Sequence, residues 1–560
     1  MRRKNSVRVG FAGLALMLAA SLALIACAQA PATAPAPSKA ESPKSTSPSG
    51  QAKPAETKPA PATEAKPTTA AKPGPTPQYG GVLRILSAWP PQQFGYPPSI
   101  VGISSAAAYP GVDAIVGMDN QGQATSKLAT AWEIGKDGKS ITFTLRKGVK
   151  FHDGTLFDAT AAKWNLDGVK KANMEKTENW TSVDVVDDNT VRINLSEFDN
   201  GIMPALARTI GLMVSPTAFE KNGKDWAVWH PVGAGPFKFV SFERNVSVKY
   251  ERFDDYWGGK PYLDGVEIRY VTDPMVQSAG IQAGEGQVIF RATTKVAADL
   301  RTRGFEVVAG GQGGVLHTNL DVLLPDTANA DSIFAKKGVR EAIDYAIDKK
   351  AIAKAVGLGV WEAASQMVPR GYAGFSTSLE GRTYNPDRAK QLLAAAGYPD
   401  GFKTRIIAPN TAERDMLVAI QSNLKAVGID AQLEIVPRAK YDEYDLKGWN
   451  GGLLYMVMAL EPNAGNILAR MMGSPSQRFA SLARPSEWVE SLKGSRTTAD
   501  MAVFKTLMDK AIKFAYEDAL AVPLFESSLP YVVSPKVHDA GFLTRGFQLL
   551  WTPEKAWLSK

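Results

Sequence analysis

The chain has 560 residues, 44% of them hydrophobic, which suits two or three domains around a large core rather than a single pair of layers. Its single cysteine excludes a disulfide framework and a thiolate zinc site in the folded part. The formal charge of +8 suggests a nucleic-acid surface, but residues 1–79 hold ten basic and three acidic side chains, so the remainder is near +1 and no basic face is implied.

Arg2, Arg3, Lys4 and Arg8 form a basic start, and Phe11 to Ala26 is nearly all apolar and rich in small residues. That stretch is too short to favour a stable membrane span and reads as a secretory signal peptide over residues 1–27. Its end, Leu24-Ile25-Ala26-Cys27, resembles the lipobox of bacterial lipoproteins, which implies lipidation of Cys27 and an exported, tethered protein. The alternative is a buried hydrophobic cysteine in an uncleaved helix. Residues 28–78 are mainly Ala, Pro, Lys, Ser, Thr, Gly, Glu and Gln, so this segment cannot offset its ordering entropy and reads as a disordered, semi-stiff spacer.

Order is expected to begin at Tyr79-Gly80-Gly81, where turn glycines lead into an alternating strand, Val82 to Ile85. A strand from Ser140 to Arg146 follows the turn Lys136-Asp137-Gly138, and Asp158 opens a helix through Trp164 and Leu166. Val183 to Leu195 reads as a hairpin turning at Asp187-Asp188-Asn189, with further strands at Val246–Tyr250 and Val266–Val271. Beyond about residue 310 helices alternate with strands. Val339, Ile343, Ala346, Ile347 and Ile352 recur at helical spacing and predict a core helix over Gly338–Val356. Thr404–Ala408, Thr411–Val427 and Asp430–Val436 read as strand, helix and strand, which implies a parallel pair in an α/β lobe. The tail from Val522 is strand-like again, as if the chain returned to the first lobe.

Several chemical motifs fail on their spacing. Gly138-Lys139-Ser140 has Glu133 where a phosphate loop needs its first glycine. Gly310-Gly311-Gln312-Gly313-Gly314 lacks the third glycine of a dinucleotide fingerprint and reads as a flexible joint between lobes. His152, His230, His317 and His538 are far apart in sequence, none with a second ligand at i+4, so no metal site and no cofactor is expected. No Gly-x-Ser-x-Gly elbow is present, and nothing specific argues for catalysis.

The segments Leu128 to Glu133, Phe143 to Gly154, Val232 to Phe237, Asp255 to Asp264 and Val339 to Asp348 occur in an order that resembles bacterial extracellular solute-binding proteins of family 5, the oligopeptide, dipeptide and nickel type. The resemblance runs from about Gly80 to the end. It implies an α/β, two-lobed periplasmic-binding-protein fold (type II, cluster C-like) with an extra subdomain on the first lobe. The corresponding division is lobe I over 79–315 with an inserted subdomain at about 110–228, lobe II over 316–519, and a return to lobe I over 520–560. Trp132, Phe143, Phe151, Tyr256 and Trp257 are expected to face the core, and Gly148, Gly154 and Gly258 to form turns.

The resemblance further implies a monomeric, extracytoplasmic, lipid-anchored receptor that closes on a peptide or other small molecule and hands it to a membrane permease and its ATPase, with no reaction of its own and no nucleic-acid partner. Ligand choice should lie around Tyr455, Met458 and Glu461. In peptide-binding relatives an aspartate there holds the ligand's α-ammonium; aligned on Glu461-Pro462, that position is Met458. A thioether cannot neutralise an ammonium, so Glu461 or a more distant carboxylate substitutes, or the ligand is uncharged at that end. Met456, Met458 and Tyr455 would then form an adaptable apolar wall, or the two methionines are ordinary core residues of a strand. Trp89, Tyr96, Asn319 and Trp361 complete the expected ligand contacts. Peptides are the family default, with a sugar, an opine-like compound or an aromatic acid as competitors and nickel less favoured. A solute sensor without a transport role and a cell-envelope hydrolase are the rival readings.

Overall fold

The computed structural model describes residues 76–119, 122–309, 317–461, 463–473, 476, 478–541, 551 and 553–560, all within a compact unit spanning Pro73–Lys560. The signal peptide, Cys27, nearly all of the spacer and the Gly310–Gly314 joint lie outside the described residues.

The strand after Gly81, Val82–Ser87, lies inside a seven-stranded sheet and runs parallel to both neighbours, Gly265–Tyr270 and Val288–Phe290. Parallel pairs need long crossovers. Here the first crossover carries a four-stranded antiparallel sheet, ordered Ala129–Ile134, Ser140–Leu145, Thr190–Leu195, Trp180–Asp187. The helix Ala159–Lys171 packs on it through Ala162, Leu166 and Val169, which are buried. Asp158 caps that helix by accepting from the Ala161 amide at 2.8 Å, and Lys170 and Lys171 sit in its last turn, where the dipole favours cations.

The resemblance-bearing residues serve this lobe. Phe143 and Phe151 are fully buried, and the Trp257 indole donates to Asp113 at 2.8 Å, a carboxylate also paired with Lys127 at 2.9 Å. Gly148 and Gly154 have φ of +74° and +85°, conformations L side chains rarely adopt. Gly258 differs: its constraint is space, since a Cβ there would stand 2.5 Å from the Tyr256 ring.

The second lobe is a six-stranded mixed sheet, ordered Glu362–Ala363, Val522–Ser527, Asn319–Pro325, Leu453–Ala459, Phe402–Pro409, Ile429–Val436. The last two run parallel across the helix Arg414–Ala426. Apolar side chains cover both faces of the sheet, so Leu323 and Tyr455 join one core cluster while Leu320, Met456 and Met458 join the other.

Two boundaries differ from expectation. The periodic stretch Gly338–Val356 is two helices, Lys337–Ala346 and Lys349–Gly357. Ile347 is extended, and the Asp348 side chain accepts from the Ala351 amide at 2.9 Å and starts a new helix. The chain also stays in the second lobe beyond residue 520, where a return to the first was expected. Val522–Ser527, buried throughout, is an interior strand of the second sheet, and Tyr531–Val533 is where the chain rejoins the first. Among the described residues the chain passes between the lobes twice, before Asn319 and between Ser527 and Tyr531.

Candidate functional site

A cavity of about 780 Å³ lies between the lobes. The first lobe contributes the loop Ile100–Gly102, the segment Met174–Lys176 after the helix Ala159–Lys171, and Arg208–Ile210. The second contributes Met456, Val457, Ala459 and Glu461 from the strand Leu453–Ala459 and just beyond it, together with Arg438, Tyr441, Arg470 and Arg478.

Contacts across the mouth hold the lobes together. Arg470, on the helix Ala464–Met472, reaches Glu175 of the first lobe at 2.8 Å and Glu461 of its own lobe at 3.1 Å. Asn463 donates to Asn200 at 2.8 Å, and the Asn200 amide donates to the Arg496 carbonyl at 3.0 Å. Asp199 pairs with Lys176 of its own lobe at 3.2 Å and with Arg496 of the second at 3.8 Å. This is a closed arrangement, with polar side chains of both lobes meeting at one lip.

The lining itself carries more cations than carboxylates. Lys176, Arg208, Arg438, Arg470 and Arg478 face it with two carboxylates, Glu175 and Glu461. Four of the cations have carboxylate partners: Lys176 with Asp199, Arg438 with Asp442, Arg470 with both glutamates, and Arg478 with Asp445. Arg208 does not, among the described residues; its Nε donates to the Pro204 carbonyl at 3.2 Å. The Arg478 Nε is buried without a hydrogen-bond partner. A guanidinium is always charged and its planar fork matches a carboxylate, so these two groups suit an anionic ligand group.

Of the residues expected from sequence, the structure places Glu461 on the cavity wall, only 9% exposed. Strand alternation separates the proposed apolar wall. Tyr455 points to the opposite face from Met456 and Met458 and donates its hydroxyl to Asp321, while Met458 is fully buried beside Leu320 and Leu460. Burial raises the Asp321 carboxyl to about 6 and the Tyr455 phenol well above its usual range. Asn319 opens its strand, opposite Ala459 and Ser527. Trp361 is half-buried against Phe525 and joins core clusters of both lobes. Tyr96 packs on Phe219 and Trp164, and Trp89 lines a cavity of about 20 Å³ beside Phe290. The cationic set was missed because arginine is common on surfaces and no spacing marks one that faces a cleft.

Three of the four histidines are tied to lobe I. His152 Nε2 lies 2.9 Å from the Gly235 carbonyl, and burial lowers its pKa to about 4. His230 contacts the Trp226 carbonyl, and His538 stacks on Trp557.

No helix among the described residues is long and apolar enough to cross a membrane. The chain is 34% identical over 343 residues to the glutathione-binding protein GsiB of Salmonella paratyphi A, a match covering 59% of this chain and 65% of that relative. Among solved structures it is similar to HbpA2 of Haemophilus parasuis, with a TM-score of 0.76 and 21% identity over 86% of this chain and 100% of that one. It is also similar to DppA of Helicobacter pylori, a periplasmic binding protein solved with the peptide STSA, with a TM-score of 0.68 and 24% identity over 86% and 99% of the two chains. The model of bacterial extracellular solute-binding proteins, family 5 Middle, matches residues 123–467, and with more than half of its length so matched this chain belongs to that family.

Proposed function

We propose that this protein is the lipid-anchored, extracytoplasmic receptor of an ATP-binding-cassette importer, and that its cleft captures a short peptide or peptide-like solute bearing a carboxylate. The observation that carries the ligand reading is Arg208, a guanidinium on the cleft wall with no carboxylate partner among the described residues, where the other four lining cations have one. Leaving that charge unpaired on closure is costly, and a ligand carboxylate would relieve the cost. A volume of about 780 Å³ falls within the range of roughly 300–1,000 Å³ common to small-ligand sites and disfavours a long peptide. Supporting the same reading, the curated relative named above is a glutathione-binding protein, and glutathione is a tripeptide with two carboxylates. Glu461 is retained as the candidate for a ligand ammonium, through rearrangement of its pair with Arg470. Met458 serves as core behind the wall, and Cys27 carries the anchor.

Titration calorimetry of the full chain with reduced glutathione, and with di- and tripeptides with free or amidated C-termini, tests this reading. Binding of a free carboxylate form, weakened at least tenfold by amidation and by Arg208→Ala, is the expected result. Equal affinity for free and amidated forms would remove Arg208 from the site. Ligand recovered chemically unchanged separates a receptor from a hydrolase.

A further inference from the structure

We propose that His317, Glu362 and Glu526 form a binding site for a divalent transition-metal ion of the zinc class, placed on the two crossings that join the lobes. The inference rests on the fold and not on the identity of the transported ligand.

His317 lies two residues before the strand Asn319–Pro325, on the crossing into the second lobe. Glu526 is the penultimate residue of the strand Val522–Ser527, on the crossing out. Glu362 opens the edge strand Glu362–Ala363 and is directly opposite Glu526 in register. Each of the three offers a ligand atom within 4.8 Å of the others. Like charges directly opposite on a sheet repel, and here one of the two is almost fully buried, with Glu526 only 6% exposed. Arg370 offsets part of that repulsion, and a bound cation would offset the rest.

The histidine supports the cation. His317 is 3% exposed, yet its Nε2 has no hydrogen-bond partner and lies 3.9 Å from a Glu362 oxygen. Its other ring nitrogen is 3.4 Å from Ser528 Oγ, and its carbonyl accepts from the Tyr372 hydroxyl at 2.5 Å. With the Nδ1 proton directed at Ser528, Nε2 presents its lone pair to the two carboxylates. This is how a metal-binding imidazole is usually oriented by the group on its far side. A neutral imidazole is the form that binds metals, and the register opposition of Glu362 and Glu526 brings two carboxylates to it.

One imidazole and two carboxylates form a donor set suited to zinc, with room for water as a fourth ligand. Bonds of about 2.0–2.1 Å require ligand atoms nearer one another than 4.8 Å, and Glu362, with a side chain 55% exposed, is free to supply the adjustment. A bound ion would fasten the edge strand to both crossings.

The test uses full-length chain treated with chelator, titrated with Zn²⁺ by calorimetry and with Co²⁺ by visible absorption. Wild type is expected to take up one ion saturably, with Co²⁺ showing the absorption of a low-coordinate site, and to gain thermal stability with Zn²⁺. Glu362→Gln, at an exposed position that should not disturb folding, is expected to weaken binding at least tenfold, and His317→Gln at least as much. Absence of saturable uptake by wild type, or affinity unchanged in Glu362→Gln, would overturn the proposal.

Discussion

Asp321 lies on an interior strand of the second lobe, 3% exposed, with the hydroxyls of Tyr455 and Ser527 as its hydrogen-bond donors. Hydroxyls satisfy its oxygens without supplying charge, so burial wins and its carboxyl titrates near 6 rather than 3.8. A carboxyl raised on folding contributes stability below its unfolded pKa and loses that contribution as pH rises through the folded value. The window therefore runs from about pH 4 to pH 6, and a shift of this size corresponds to about 3 kcal/mol. Asp321→Asn should keep the acceptor for Tyr455 and remove the titration. Its stability relative to wild type is expected to fall by up to about that amount between pH 8 and pH 4, measured by urea unfolding; a constant difference across that range would mean that Asp321 is not the titrating group. Met458 lies behind the cleft wall, and its place in an alternating apolar run, Leu454, Met456, Met458, Leu460, was legible in sequence as one of two readings.

At the scale of elements, the helix pair Lys337–Ala346 and Lys349–Gly357 shows how a local hydrogen bond overrides periodicity. The apolar spacing continues across Ile347, which is buried, so the pattern reads as one helix. The break lies in the backbone, where Asp348 caps the second helix and its own amide donates to Asn423 at 2.8 Å. Asp348→Ala should cost about 1 kcal/mol by loss of the cap, and a circular-dichroism melt at neutral pH would measure it. The first helix carries a buried ionic cluster: Asp344 contacts Lys349 at 2.5 Å and Arg382 at 3.3 Å, and Arg382 also reaches Glu341 at 3.1 Å. Removing one member of a buried set leaves uncompensated charge, so Asp344→Ala should be far more damaging, by roughly 3–5 kcal/mol.

For the molecule as a whole, the question is what holds the lobes closed. Arg470 with Glu175, and Asn463 with Asn200, join opposite sides of the mouth, whereas the crossings lead into and out of two adjacent interior strands of the second sheet. The Arg470–Glu175 pair is partly exposed, so its worth is modest and sensitive to salt. Glu175→Gln leaves the Arg470–Glu461 pair in place and removes one latch. Small-angle scattering of that variant without ligand is expected to show a larger radius of gyration than wild type at low ionic strength, with the difference shrinking in high salt. Identical profiles at both salt concentrations would assign closure to the remaining lip contacts.

The sequence by itself determined what depends on neighbours along the chain. Turn glycines at Gly148 and Gly154, the cap at Asp158, the parallel unit from Phe402 to Val436 and the ordered run of family segments are all local patterns, and local patterns specify elements and fold. Tertiary structure decided what depends on neighbours in space. Arg208 and Arg438 are 230 positions apart yet face one cavity, and His317, Glu362 and Glu526 come together because two adjacent strands of one sheet and the lead-in to the next meet there. Val522–Ser527 shows the same division: its buried apolar run marks a strand, but backbone hydrogen bonding to Asn319–Pro325 chose the sheet it joins, since an interior strand carries no mark of which partners will flank it.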